Sequence, residues 1–290
     1  MKGNAIMQNI KAIFLDMDGT ILHQNNRASE KTASVIARLR TEGYKVFLAT
    51  GRAYEEIHLL IPEDLQFDGI ISSNGTLGHI DEHVLFEHDL SLEAVRQIVT
   101  EAQQDGIYYE VFPFDEPRFA LNEDQSWMLS LVKGDKPATV NESEWLSRHE
   151  AIREKLTWRD TIPTQLGFSK IYLFHSDLNK IKSFREKMVA QQSKLNIEVS
   201  NSTANNVETM AYHINKGTGI KEMCRHFNIQ LSETLVIGDS DNDRAMFKVG
   251  GVTVAMKNAR TEIKALTQYE TEFDHNHDGA AQFLETQLLK

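Results

Sequence analysis

Two aspartates two positions apart, Asp16 and Asp18, close the apolar run in FLDMDGTIL (residues 14–22) and are followed at once by Gly19-Thr20. A second acidic group, Gly238-Asp239-Ser240-Asp241-Asn242-Asp243, follows the apolar stretch TLVIG. Between them in sequence lie Thr50-Gly51-Arg52, Ser73-Asn74-Gly75 and Lys216-Gly217. Taken singly, each group has an ordinary explanation. Asp-x-Asp-Gly-Thr can be an Asx-type turn, Thr-Gly-Arg and Ser-Asn-Gly are turn chemistry, and Asn-Asp-Arg can open a helix whose acids suit the dipole. Taken in order, they form the parts of a phosphoryl-transfer site: an in-line nucleophile, a metal, fixed cations, donors for the phosphoryl oxygens and an acid for the leaving group.

The residue types fit those parts. Asp16, at a strand end, can attack phosphorus and carry the group as an acyl phosphate. Asp18, two residues on in extended chain, points to the same side and can protonate the leaving oxygen, then activate water. Gly19 permits a tight turn there. Mg²⁺ prefers octahedral oxygen ligation, which the Asp16 carboxylate, the Asp18 carbonyl, the Asp239 carboxylate, a phosphate and waters can supply. Thr50 offers a hydroxyl to the phosphoryl oxygens, and Lys216 a charge that offsets Asp16 and the phosphate. Gly51, Arg52 and Asn74 are further candidate phosphate or substrate contacts. Two carboxylates at the end of a buried strand are costly unless something cationic meets them.

The elements that must position these groups read as alternating strand and helix. Ala12 to Leu15 is a short continuous apolar run, suited to a strand buried on both faces of a parallel sheet. Ser29 can cap a helix carrying Ala33, Ile36 and Ala37, and Gly43 is placed to stop it. Val46 to Ala49 predicts a second strand, Ile57 to Ile61 a second helix, and Gly69 to Ser72 a third strand. This βαβαβ order is the mark of a doubly wound sheet, where ligands bind beyond the carboxyl ends of the strands.

After Gly75 the style changes. Ser91 to Gln104 predicts a capped amphipathic helix stopped by Gly106, and IYYEVF a strand. From Pro113 to Thr164 no regular element is legible, with Pro113, Pro117, Pro137 and Pro163 marking breaks. The strand KIYLFH (170–175), a helix over Lys180 to Gln191 and short strands near 195–199 and 206–211 follow. The last eighty or so residues return to the opening style, with Ile220, Met223, Cys224 and Phe227 at helical spacing, then TLVIG, a helix over Arg244 to Val249, VTVAM, and helices near 260–267 and 279–288. Cys224 belongs to that apolar stripe and reads as a core filler rather than a nucleophile. Asp274-His-Asn-His-Asp278 has the look of a metal tract but reads as a solvated loop, and Tyr108, Tyr109, Phe112, Phe114 and the tryptophans as packing.

The ordered set from Phe14 to Asp278-Gly279 resembles the haloacid dehalogenase (HAD) superfamily of aspartyl-phosphate phosphohydrolases, and most its Cof-type, class IIB sugar-phosphatase branch. The resemblance implies a Mg²⁺-dependent phosphatase of small metabolites, such as sugar phosphates, flavin mononucleotide or pyridoxal phosphate. It also implies that Asp243 supports the metal from nearby and that Asn242 helps hold the acidic loop or the phosphate. The interval from Asp18 to Thr50 is too short for an inserted module, whereas that from Thr50 to Lys216 is far longer than a core requires. The expected architecture is therefore an α/β, HAD-like doubly wound core over 1–81 and 212–290 with an inserted α+β cap domain over 82–211. The cap would set specificity, with hinges near His79 to His83 and Tyr212 to Asn215. A phosphomutase or phosphotransferase and a non-catalytic phosphometabolite sensor are the alternatives.

Composition narrows the partners. Hydrophobic residues are 41% and charged residues 25% of the 290, and no apolar run reaches the roughly 18–20 residues a membrane span needs. The start MKGNAIMQNIK lacks the apolar core of a secretory leader, and a single cysteine excludes an intrachain disulfide, so a cytoplasmic location is expected. A net charge of -11 repels phosphate backbones, which argues against a nucleic-acid partner. A small phosphorylated metabolite is the expected partner, with no obligate protein partner.

Overall fold

The computed structural model describes residues 7–62 and 65–289, so residues 1–6, where most of the leader reading falls, lie outside the described residues. The chain divides into two compact units, one ending at Glu87 and resuming at Ile214, the other spanning His88–His213.

In the first unit, β1 (Ala12–Leu15) is central and fully buried. Its alternate residues serve two cores. Ile13 and Leu15 pack with Ile36, Leu39 and Leu284, whereas Ala12 and Phe14 pack with Phe47, Ile220 and Met223. A strand covered on both faces has no polar side to alternate with, hence the unbroken apolar run. The helix α1 (Glu30–Thr41) is capped by Ser29, whose side chain accepts from the Thr32 N–H. Next come β2 (Lys45–Ala49), a single helical turn α2 (Tyr54–Ile57) and β3 (Gly69–Ser72). The helix expected over Ile57–Ile61 is thus centred earlier: the Ala53 N–H is capped by Glu56 at 3.2 Å, and Pro62 lies just beyond the turn.

β4 (Leu77–Ile80) and β5 (His83–Glu87) then add an antiparallel hairpin to the edge beyond β3. Residues 79–83, where a hinge is expected, form the hairpin's paired strands and turn, and the division between the compact units falls at Glu87/His88, whereas the sequence reading places it at 81/82. At the return the division falls at His213/Ile214.

The second unit contains α3 (Leu92–Asp105), β6 (Tyr108–Pro113), β7 (Phe119–Leu121), α4 (Gln125–Leu131), α5 (Glu142–Glu150), β8 (Thr157–Arg159), β9 (Phe168–Phe174), α6 (Leu178–Leu195), β10 (Ile197–Ser200) and β11 (Asn206–Ala211). Its sheet runs β10-β11-β9-β6-β7-β8, antiparallel except for β7 with β8. The stretch 113–164, illegible in sequence, thus holds two strands and two helices. Within this unit the aromatics Tyr108, Tyr109 and Phe112 are buried, in keeping with packing roles.

Returning to the first unit, α7 (Lys216–His226), β12 (Thr234–Gly238), α8 (Arg244–Val249), β13 (Val252–Ala255), α9 (Thr261–Lys264), β14 (Tyr269–Glu270) and α10 (Gly279–Leu288) complete the layers. The sheet order is β14-β13-β12-β1-β2-β3-β4-β5, parallel from β14 to β3. Cys224 is buried and burial pushes its thiol up to about 12, so the structure treats it as a hydrophobe.

Candidate active site

Four adjacent parallel strands, β12, β1, β2 and β3, deliver their carboxyl ends to one place, where the chain continues into Asp239, Asp16, Thr50 and Ser73-Asn74 respectively. Lys216 arrives from the first turn of α7, whose start is fixed by Asn215 accepting from the Thr218 N–H.

The ammonium of Lys216 is fully buried and grips two carboxylates, Asp16 Oδ1 at 2.5 Å and Asp243 Oδ1 at 2.7 Å. Asp243 is otherwise occupied in shaping its own loop: Oδ2 accepts from the backbone N–H of Asp239 at 2.9 Å and of Ser240 at 3.0 Å. The close approach needs Gly238, where a Cβ would stand 2.4 Å from Asp243 Cγ. Asp16 Oδ2 has a long contact from Thr20 Oγ1 at 3.5 Å. Among the described residues, buried Asp239 Oδ1 has no hydrogen-bond partner.

Asp16, Asp239 and Asp243 each offer an oxygen within 4.8 Å of the others. Among the described residues, the Lys216 charge alone stands against these three carboxylates, leaving a deficit of two positive charges. The electrostatics register the strain. Burial first, then Asp243, holds the Asp16 carboxyl up at about 7 against the opposing pull of Lys216. Burial and Asp16 likewise hold Asp239 well above the ordinary carboxylate value, and Asp16 and Asp243 raise Lys216 despite its desolvation. An oxygen-only donor set with an orphaned buried oxygen and a charge deficit of two suits a hard divalent cation.

The remaining expected residues are placed as follows. Asp18 does not join the acidic cluster through its side chain: Arg52 holds it by both oxygens, Nε to Oδ2 at 2.8 Å and Nη2 to Oδ1 at 2.6 Å. Thr50 is buried and its hydroxyl accepts from the Arg52 N–H at 3.1 Å, with Gly51 between them. Asn74 has φ 56° and follows Ser73 at φ 47°, two successive non-glycine residues in the left-handed region. They are held there by Ser73 N–H to Arg52 O at 2.8 Å, Asn74 N–H to Thr50 O at 2.9 Å, and Asn242 Nδ2 donating to Asn74 Oδ1 at 3.1 Å. Gly19 has φ 75°, and a Cβ there would lie 2.5 Å from Asp239 Oδ2, so only glycine fits.

Sequence reasoning missed Asn258, which donates to the Gly19 carbonyl at 2.9 Å and to Asp239 Oδ2 at 3.3 Å. It also took 274–278 as a solvated loop. The loop is instead tied to the residues after Asp18, with Asp278 bound by His23 at 2.8 Å and Ser29 at 2.6 Å, and Asn276 Oδ1 accepting from the Gln24 N–H at 2.9 Å. No local signal marks these partners, because each lies far along the chain.

This arrangement of fold and acidic cluster defines the class. Residues 13–284 match the haloacid dehalogenase-like hydrolase family, and the chain belongs to it. As an enzyme it falls among the phosphoric monoester hydrolases. It is similar to phosphatase YwpJ of Bacillus subtilis, 28% identical over 92% of this chain and 96% of the relative. It is also similar to 5-amino-6-(5-phospho-D-ribitylamino)uracil phosphatase YwtE of Bacillus subtilis, 25% identical over 97% of this chain and 98% of that one. Among solved structures, the HAD subclass IIB sugar phosphatase BT4131 shares its fold, with a TM-score of 0.67 at 24% identity over 95% of this chain and 98% of the other. Among the described residues no helix is long and apolar enough to cross a membrane.

Proposed function

We propose that this chain is a Mg²⁺-dependent phosphatase of small phosphorylated metabolites, sugar phosphates or cofactor phosphates, acting in the cytoplasm through an aspartyl phosphate on Asp16. The observation that carries the reading is the buried, unpartnered Asp239 Oδ1 beside Asp16, in a cluster two positive charges short. The names of the relatives support a phosphate-monoester substrate, and their ribitylamino and sugar phosphates support a polyol leaving group.

Mg²⁺, when bound, would be held by Asp16, Asp239 and the Asp18 carbonyl, with Asp243 fixing the loop, and would neutralise charge on the phosphoryl oxygens. Lys216 fixes the Asp16 carboxylate in one orientation and offsets its charge, so an anionic phosphoryl group can approach. An Asp16 oxygen forms a bond to phosphorus as the ester P–O bond breaks. Asp18 gives its proton to the departing oxygen, then takes one from the water that cleaves the acyl phosphate, returning Asp16 and releasing inorganic phosphate. Arg52 occupies both Asp18 oxygens beforehand, so the acid step requires that grip to open, and a phosphate dianion is a fitting competitor for a guanidinium. Thr50, Gly51, Asn74 and Asn242 shape the loops that would meet the phosphoryl oxygens. The His88–His213 unit discriminates among leaving groups, since the strand-end groups recognise only what every monoester shares.

Initial rates of phosphate release across a panel of phosphorylated metabolites, with Mg²⁺ and with chelator, test this. Release that needs Mg²⁺ and ranks the metabolites is expected. Equal release in chelator, or none with any metabolite or aryl phosphate, would overturn it.

A further inference from the structure

The two oxygens of Asp239 stand in different surroundings. Oδ1 is buried and, among the described residues, has no hydrogen-bond partner, whereas Oδ2 accepts from Asn258 Nδ2 at 3.3 Å. The same amide nitrogen donates to the Gly19 carbonyl at 2.9 Å, so one side chain ties the Asp16–Gly19 loop to the Asp239 loop. The amide can stand only one way round. Asn258 Oδ1 accepts from the backbone N–H of His275 at 3.1 Å, a group that can only donate, which leaves the nitrogen to face the two acceptors.

Both ends of this linkage are anchored. Asn258 sits in the turn after β13, where Met256 N–H donates to Gly238 O at 3.0 Å and Ala259 N–H to Met256 O at 3.0 Å. His275 is held by the loop whose Asp278 and Asn276 are bound to Ser29, His23 and Gln24, and whose Asp274 carbonyl accepts from the Gly279 N–H at 2.9 Å.

We infer that Asn258, fixed by the 274–278 loop, is a positioning residue that makes Asp239 a one-oxygen ligand and thereby sets the site's preference for Mg²⁺ over Ca²⁺. The inference rests on the proposed function, which supplies the cation. Mg²⁺ demands compact octahedral geometry with single-oxygen carboxylates, whereas Ca²⁺ takes more ligands and readily accepts both oxygens of one carboxylate. Oδ2 keeps a second lone pair, but turning the Asp239 carboxylate to present both oxygens to one ion strains the Nδ2···Oδ2 hydrogen bond that Asn258 holds in place. Removing it frees the carboxylate to rotate, which weakens the ion that needs exact placement and relieves the one that needs an extra oxygen.

Calorimetric titration of the full chain with Mg²⁺ and with Ca²⁺ reads this directly, without turnover. Asn258 is exposed, so Asn258→Ala leaves the buried core untouched. It is expected to weaken Mg²⁺ by about 10- to 100-fold, the usual cost of losing a group that orients a metal ligand, and Ca²⁺ by less. His275→Pro supplies an independent arm. Position 275 opens a short 3₁₀ turn after Asp274 at φ -79° and ψ 179°, a geometry that accepts proline at the next residue, and the change removes the one N–H that orients Asn258. It should shift the Mg²⁺-to-Ca²⁺ affinity ratio the same way, whereas His275→Ala, which keeps the N–H, should hold the wild-type ratio. An unchanged ratio in Asn258→Ala, or equal shifts in His275→Pro and His275→Ala, would overturn the inference while leaving the phosphatase reading intact. Wild type that binds neither ion would overturn both.

Discussion

Asp16, Asp239, Asp243 and Lys216 show how far a site's character is set by three carboxylates gathered about one ammonium. In a cation-free fold two of these acids resist ionisation, Asp16 being held at about 7 and Asp239 well above its ordinary 3.8, chiefly by burial. The sign follows from linkage. A carboxyl whose folded value is raised favours the fold while protonated, so its contribution is full below the unfolded value and is lost as pH rises toward the folded one. The cation-free protein should therefore lose stability between about pH 4 and 7 at this cluster, and Mg²⁺ should restore it most where protons no longer compete. Thermal melts with Mg²⁺ and with chelator should show a shift that grows from about pH 5 to 8, and a shift independent of pH would count against the cluster as the cation's seat. The proposed role of Asp18 predicts that Asp18→Asn lowers turnover by roughly 100- to 10,000-fold, measured as steady-state phosphate release. The motif carboxylates and Lys216 were legible because each follows a strand or opens a helix, where topology alone brings them together. Asn258 and His275 were not, since their meaning lies in hydrogen bonds to Asp239, Gly19 and each other that no local pattern encodes.

At the scale of elements, the parallel strands were readable for a physical reason: double-sided burial writes an unbroken apolar run, as in β1 and β12. The β4–β5 hairpin was not, because it lies at the sheet edge with His83 and Val84 exposed, and its burial pattern carries little periodic signal. In the illegible stretch before residue 164, buried charge pairs join residues that lie far apart in sequence. Alternate residues Tyr108, Glu110 and Phe112 of β6 share a face with Lys170 and Tyr172 of β9 and Glu208 of β11 by cross-strand register. On it Glu110 is fully buried between Arg118, at 3.0 Å, and Arg148 of α5, and accepts from Tyr108 Oη at 2.8 Å. Glu144 of α5 accepts from Tyr172 Oη at 2.7 Å and Thr203 Oγ1 at 2.7 Å, and the Arg148 guanidinium lies 3.8 Å over the Tyr172 ring. Helix α5 is thus seated by charged side chains whose partners lie on other elements. Glu110→Gln leaves two buried guanidinium groups short of an anion and should cost about 3–5 kcal/mol, read from urea unfolding of the full chain. The two arginines hold the Glu110 carboxyl below its ordinary 4.5 despite burial, so its stabilising contribution is present above that value and is lost as pH falls through the folded one. A Glu110→Gln protein as stable as wild type at neutral pH would show the network to be dispensable.

At the scale of the whole molecule, the chain contains a unit that carries all the strand-end chemistry and a second, His88–His213, that carries none of those motifs. If the second unit supplies discrimination, joining Glu87 to Ile214 by a short linker should preserve hydrolysis of small aryl phosphates and erase the ranking among metabolites. A core that folds and keeps the wild-type ranking would refute that division of labour. The central claim is that Asp16 carries the phosphoryl group, and the most direct measurement is a rapid acid quench of the full-length enzyme turning over a ³²P-labelled monoester with Mg²⁺, followed by mapping of the label. The account predicts acid-stable, hydroxylamine-labile label on the peptide containing Asp16 in wild type, and neither label nor turnover in Asp16→Asn, whose amide keeps the shape but is a poor nucleophile. Phosphate release by Asp16→Asn at the wild-type rate, or label equal in the two proteins, would contradict it.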